Sequence, residues 1–195
     1  LLAAGSGSIF QLGRVFRQDA PSKRHHHEFT LCEWHRVGMN IAQLMDKVEA
    51  LVHTVFVAAD VPRGMALKVE RFSYRTLFET HLGIDPHGAT LDQLALLAER
   101  ELELVATDLS RTDYLQLLLS HCIEPNLPAA CFIFDYPVGQ AALARIEEDD
   151  TGQRVARRFE LFLAGMEVAN GYFELLDEAE QRTRFEADIA ERARR

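Results

Sequence analysis

The sequence predicts an α+β fold in which helices pack on an antiparallel sheet, and three observations lead to it. Two segments near the start alternate apolar and polar residues with the period of a strand. A run of helical spacings fills the middle of the chain, and strand-like segments return after residue 129 before a charged helix closes the sequence. With 195 residues and 48% hydrophobic content, the chain has the length of one domain, at about 150 residues each, with a core needing no staples. Its net charge of −9 opposes phosphate-rich partners unless basic residues cluster locally. Cys32, Cys122 and Cys131 are odd in number and form no CxxC pair, which fits a reducing cytoplasm rather than a disulfide framework. No apolar run approaches the ~18–20 residues that a membrane span needs.

The elements follow in order. Ile9 to Arg17 alternates, with Phe10, Leu12 and the Val15–Phe16 pair expected to face inward, and Glu28 to His35 alternates again. The polar stretch Gln18 to His27, with Pro21 and Ser22, makes these two strands a long hairpin with a wide loop. Asn40 caps a helix through Ile41, Leu44, Val48, Leu51 and Val55, broken by Pro62 and Gly64. Residues 62–126 read as a mostly helical insertion, with helices starting after Ser73, at Thr90 and at Arg111. Ala130 to Tyr136 is a strand stopped by Pro137, Val155 to Leu163 another, and Met166 to Leu176 a third, interrupted at Asn170-Gly171. Asp177 opens the last helix, to Arg195.

Two constellations can carry chemistry. On the hairpin, Arg17 ends one strand and Phe29 begins the return, so both side chains share one end of the sheet. An arginine fork there can grip a phosphate or carboxylate, and an aromatic ring beside it can stack on a planar base. A surface Arg17 paired with Asp19, and a core Phe29, fit the same spacing. The second is the acid pair Glu167 and Glu174 in an otherwise apolar stretch. A bend at Asn170-Gly171 could bring them together as hard oxygen ligands for Mg²⁺ and nucleotide phosphates, or both could be rim charges on an edge strand. His25, His26 and His27 lack further ligands at metal spacing and read as part of the loop.

The order Phe16-Arg17-x-Asp19, the histidine loop, Glu28-Phe29-Thr30, Glu33-Trp34, and much later Glu167-x-Ala169-Asn170-Gly171-x-x-Glu174-Leu175 resembles class II lysyl-tRNA synthetases. It is closer still to their stand-alone paralogues, the elongation factor P β-lysine ligases. Glu124-Pro125-Asn126 and the segment Phe134 to Leu143 support the second likeness, which runs along nearly the whole chain.

The resemblance implies the catalytic core of a class II aminoacyl-tRNA synthetase: motif 2 over residues 9–38, the insertion over 62–126, and sheet and last helix over 129–195. It implies a cytoplasmic ligase, homodimeric when complete, that uses ATP and Mg²⁺ to activate lysine or β-lysine as the adenylate. The acceptor is a lysine of elongation factor P, or alternatively tRNA-Lys. Arg17 matches the catalytic arginine on the α-phosphate and the amino-acid carboxylate. Asp19 stands where the family usually has Glu near adenine, His25 and His26 lie near the nucleotide, and Phe29 stacks on adenine. Glu33, His35 (in place of the usual Tyr), Asn170 and Glu174 line the substrate pocket. Glu167 is a metal and ATP ligand with Val168 beside it, and Glu174 is shared between metal and substrate. Motif 1 before Leu1 and motif 3 after Arg195 are missing from the sequence, and no Gly-x-Asp-Arg occurs. The chain therefore reads as a central piece expected to form no adenylate by itself, with a degenerate, non-catalytic module as the reading from another class.

Overall fold

The computed structural model describes residues 2–18, 26–61, 68–106 and 108–192. The chain divides into two units, Leu1–Asn40 and Ile41–Arg195. In the first, β1 (Ile9–Phe16) and β2 (Glu28–His35) form an antiparallel ribbon in unbroken register from Ile9↔His35 to Phe16↔Glu28. The ladder gains one more rung where the Arg17 amide donates to the His27 carbonyl at 2.9 Å. Phe10 and Leu12, expected to face inward, are 80% and 67% exposed, and Phe16 is exposed with them. The reason is architectural: a two-stranded ribbon has no second layer of its own to bury a face against. Most of the connecting loop, residues 19–25, lies outside the described residues.

The second unit is a sheet with helices on both faces. Its elements are α1 (Ile41–Ala58), β3 (Glu70–Ser73), α2 (Tyr74–Leu82), α3 (Leu91–Leu102), α4 (Arg111–Leu118), β4 (Ala130–Tyr136), β5 (Ile146–Glu148), β6 (Arg154–Leu163), β7 (Met166–Tyr172) and α5 (Glu178–Arg192). The strand order is β3-β4-β6-β5, and β7 pairs with β6. Every pairing is antiparallel except β3 with β4, which is parallel, so the sheet is mixed rather than purely antiparallel. Strand β3 lies inside the stretch read as helical. Its four residues, Glu-Arg-Phe-Ser, are too short and polar to show a strand period, and pairing with the buried β4 makes them a strand.

The helix ends follow local chemistry. The Ser73 hydroxyl accepts from the Thr76 amide to cap α2, and Gly83, with φ 68°, ends it. Thr90 with Gln93, and Ser110 with Asp113, form capping boxes on α3 and α4. Asp177 accepts from the Glu180 amide at 2.8 Å where α5 begins. The core lies between α2–α4 and one sheet face, where Tyr74, Phe78, Leu94, Leu115 and Leu118 meet Cys131, Ile133, Tyr136 and Phe162. Helix α1 covers the other face: Arg71, over the Phe132 ring, donates to Asp46 and Glu49 of α1 at 2.7 and 2.8 Å. No helix among the described residues is long and apolar enough to cross a membrane.

Candidate functional site

Strand alternation sorts the hairpin residues by face. Arg17, Phe29, Glu33 and His35 all fall on one side, because Val15↔Phe29, Gln11↔Glu33 and Ile9↔His35 are cross-strand partners and Arg17 continues the same parity. The Arg17 guanidinium lies 5.5 Å from the centre of the Phe29 ring. The structure thus brings together the two residues that spacing placed at one end of the ribbon. His27 Nδ1 sits 3.3 Å from the Arg17 carbonyl, and His26 is exposed. Asp19 and His25 lie outside the described residues.

In the second unit, β7 does not bend at Asn170-Gly171. It runs through both residues to Tyr172, and the irregularity falls earlier. Leu161 pairs with Ala169 and Phe162 with Glu167, so Val168 is an extra residue, a bulge. Glu167 and Asn170 are three residues apart and would face opposite ways on a straight strand. The bulge reverses the parity and puts both on the face that carries Arg158 and Glu160.

Gly171 serves contact rather than turning. It is the partner of Phe159, and a Cβ there would stand 2.4 Å from the buried ring's Cζ. The phenyl ring packs directly on bare backbone, as aromatic residues do opposite strand glycines.

The resulting array is specific. Asn170 Nδ2 donates at 3.5 Å to Oε1 of both Glu160 and Glu167, bridging the two acids. Arg158 Nη2 pairs with Glu160, and Arg158 Nη1 donates to the Gln140 carbonyl at 3.0 Å. The Arg158 guanidinium also lies 4.6 Å from the centre of the Tyr136 ring. A second bulge sets this up: β6 carries two residues, Arg157 and Arg158, opposite Asp135. They part company there, Arg157 Nη1 reaching the Asp135 carboxylate at 2.9 and 3.0 Å while Arg158 lies over Tyr136.

Glu174 keeps the parity of Asn170 and lies about 13 Å further along at strand rise. It bridges to Ala144 beyond the end of β7, and its carbonyl accepts from Arg145 Nε at 3.4 Å. The acid that the structure places beside Glu167 is therefore Glu160. Sequence reading did not single it out, although a signal existed. Ala164 and Gly165, both with positive φ, form the two-residue turn joining β6 to β7, and counting back from it puts Glu160 and Glu167 on one face.

Glu167 is exposed as a residue, yet burial of its carboxyl raises its pKa, and repulsion from Glu160 adds to this; Arg158 and Asn170 act the other way. A carboxyl whose folded pKa is raised contributes stability that is complete below its unfolded pKa and is lost as pH rises through the folded value. Glu167→Gln is therefore expected to melt at or above the parent temperature at pH 7, with the difference vanishing below the ordinary glutamate range. Thermal melts across pH check this, and a variant less stable than the parent at neutral pH would contradict it.

Among the described residues, no three His, Cys, Asp or Glu side chains gather as a metal cage. Two carboxylates joined by an amide are instead the sparse oxygen set that Mg²⁺ uses when phosphates and water complete its shell. The donors fit that ion.

The family model for class II tRNA synthetases (D, K and N) matches residues 1–194. The chain is 42% identical over 199 residues to a protein of Yersinia enterocolitica named elongation factor P–(R)-β-lysine ligase, covering all of this chain and 58% of that one. It is 41% identical over 197 residues to the protein of that name from Hamiltonella defensa, covering 99% and 58%. For Haemophilus ducreyi the identity is 40% over 190 residues, covering 96% and 55%. The chain thus spans a little over half the length of these relatives. With the match running from residue 1 to residue 194, it belongs to the class II tRNA synthetases of the aspartate, lysine and asparagine group.

Proposed function

We propose that the protein uses ATP to activate lysine or β-lysine as the adenylate and transfers it to a lysine of elongation factor P. The observation that carries this reading is about 40% identity, along the whole chain, to proteins named for that ligation. The geometry supports it with two polar faces of the right chemistry. On the hairpin, Arg17 pairs with the α-phosphate and the amino-acid carboxylate, and Phe29 stacks on adenine, with Asp19, His25 and His26 completing the nucleotide contacts. Glu33 and His35, on the same face as Arg17, line the amino-acid pocket.

On β6 and β7, Glu160 and Glu167 would hold Mg²⁺, which would neutralise phosphate charge during attack. Asn170 holds the two acids at a fixed spacing, Val168 supplies backbone contact at the bulge, and Glu174 is left to a substrate ammonium. In the first step a carboxylate oxygen of the amino acid bonds to the α-phosphorus and pyrophosphate leaves. In the second, an amine nitrogen of the acceptor bonds to the acyl carbon, AMP leaves, and the amine gives up one proton. Arg17 stabilises the charge that grows on the phosphorus oxygens in the first step.

The test is ATP–pyrophosphate exchange by the whole protein with lysine and with (R)-β-lysine, followed by intact-mass measurement of elongation factor P. Amino-acid-dependent exchange and one added acyl group on the factor are expected. Absence of exchange with both amino acids, or acylation of tRNA-Lys in place of the factor, would overturn the reading.

A further inference from the structure

We propose that a cleft beside Glu160 binds a lysine side chain of the protein acceptor, an inference that rests on the ligase reading above. The cleft has a volume of about 480 Å³ and lies between the β4–β6 part of the sheet and the end of α4, lined by Leu117, Leu119, Ser120, Glu124, Tyr136 and Glu160 among others. Three leucines, Leu109, Leu117 and Leu119, line it, and among the described residues its charged groups are three acids, Asp113, Glu124 and Glu160, against one arginine, Arg158, which pairs with Glu160. That composition suits a flexible alkylammonium: the methylene stem lies against leucines while the charged head meets carboxylates. The same acids repel a phosphate backbone, which favours a protein over a nucleic acid as the occupant.

Two further observations point to a ligand. Tyr136 is 1% exposed, and among the described residues no group, the neighbouring Glu160 carboxylate included, meets its hydroxyl in hydrogen-bond geometry. A sealed hydroxyl without a partner costs free energy, and an ammonium donor would supply one. Helix α4 also winds into a π turn, Leu119–Ile123, and Leu119 and Ser120 of that turn line the cleft. Such turns interrupt an α-helix at some cost and are frequent at binding sites. Position links the cleft to the site already described. Glu160 belongs to both, lining the cleft and accepting from Asn170 of the acid pair.

The experiment uses the whole protein and purified, unmodified elongation factor P. Calorimetry without ATP reads affinity for the factor, transfer assays read its KM, and pyrophosphate exchange reads adenylate formation. Glu124→Lys is expected to weaken binding and raise the KM by about tenfold or more, since a lysine would meet a like charge. Exchange should change by a smaller factor than the KM for the factor. Tyr136→Phe is expected to raise the KM by a smaller factor without lowering the melting temperature, because the hydroxyl it removes has no partner to lose. A folded Glu124→Lys protein with affinity and KM within twofold of the parent would overturn the proposal, as would a parent that does not bind the factor. A loss of tRNA binding in place of factor binding would overturn it too. If the parent lacks exchange, the adenylation reading fails, and the calorimetric comparison still decides the cleft.

Discussion

Glu160→Gln in the whole protein is expected to lower Mg²⁺-dependent pyrophosphate exchange by roughly 10²-fold, with a higher Mg²⁺ requirement, while the protein stays folded. Hard cations bind through carboxylate charge, and an amide keeps the shape but removes the charge. Loss of a group that orients a metal site typically costs about 10–100-fold, so loss of a ligand itself belongs at or above the top of that range. Gln is the informative substitution because its amide oxygen can still accept from Arg158, which loses the counter-charge but keeps a hydrogen bond. The Arg158 and Glu160 side chains are only 15% and 14% exposed, so Glu160→Ala would leave a largely buried guanidinium unpaired, at a cost of roughly 3–5 kcal/mol. Lost exchange in Ala could then reflect unfolding. A Mg²⁺ titration of Glu160→Gln, with a melting curve alongside, separates the two causes. Exchange at the parent's level across the titration would reduce Glu160 to a structural partner of Arg158.

The second large effect concerns stability. Gly171→Ala is expected to cost up to about 3 kcal/mol, the upper part of the range for overpacking a tight core. The added methyl would lie 2.4 and 2.7 Å from Cζ and Cε1 of Phe159. The ring has nowhere to go: it is 1% exposed and meets Phe132 edge-on at 5.3 Å between centroids. Chemical denaturation of the whole protein measures the cost. Pairing the change with Phe159→Leu should recover part of it, since a shorter side chain frees the space above the alanine. Gly171→Ala at parental stability would show that the strands separate at no cost.

Much of this is legible in the sequence. Strand β4 spans Ala130 to Tyr136 and stops before Pro137, as expected, and α2 and α3 begin at the Ser73 and Thr90 caps that open them. The shared face of Arg17 and Phe29 was equally legible, because the two-residue period of a strand is a local property that needs no knowledge of the rest of the chain. Resemblance supplied the family. What alternation cannot supply is register. The bulge at Val168 arises from how β7 is held against β6, and it alone decides that Asn170 faces the same way as Glu167. Read without it, Asn170-Gly171 looks like a break in a strand. With it, Asn170 links two acids and Gly171 receives a phenyl ring.

The same limit hid β3, whose four polar residues become a strand only beside β4, and left Phe10 and Leu12 looking like core residues when the ribbon had no layer to bury them. It also hid the cleft, which joins a π turn at Leu119–Ile123 to Tyr136 and Glu160, residues separated along the chain and brought together by helix packing on the sheet. By itself the sequence determined most helices and strands, though not β3 or β5, where the helices are capped, and which family the chain resembles, because capping, periodicity and motif order are written in neighbouring residues. Only the tertiary structure decided which acid stands beside Glu167. That depends on pairing between strands, and the free energy of a pairing register belongs to two segments at once.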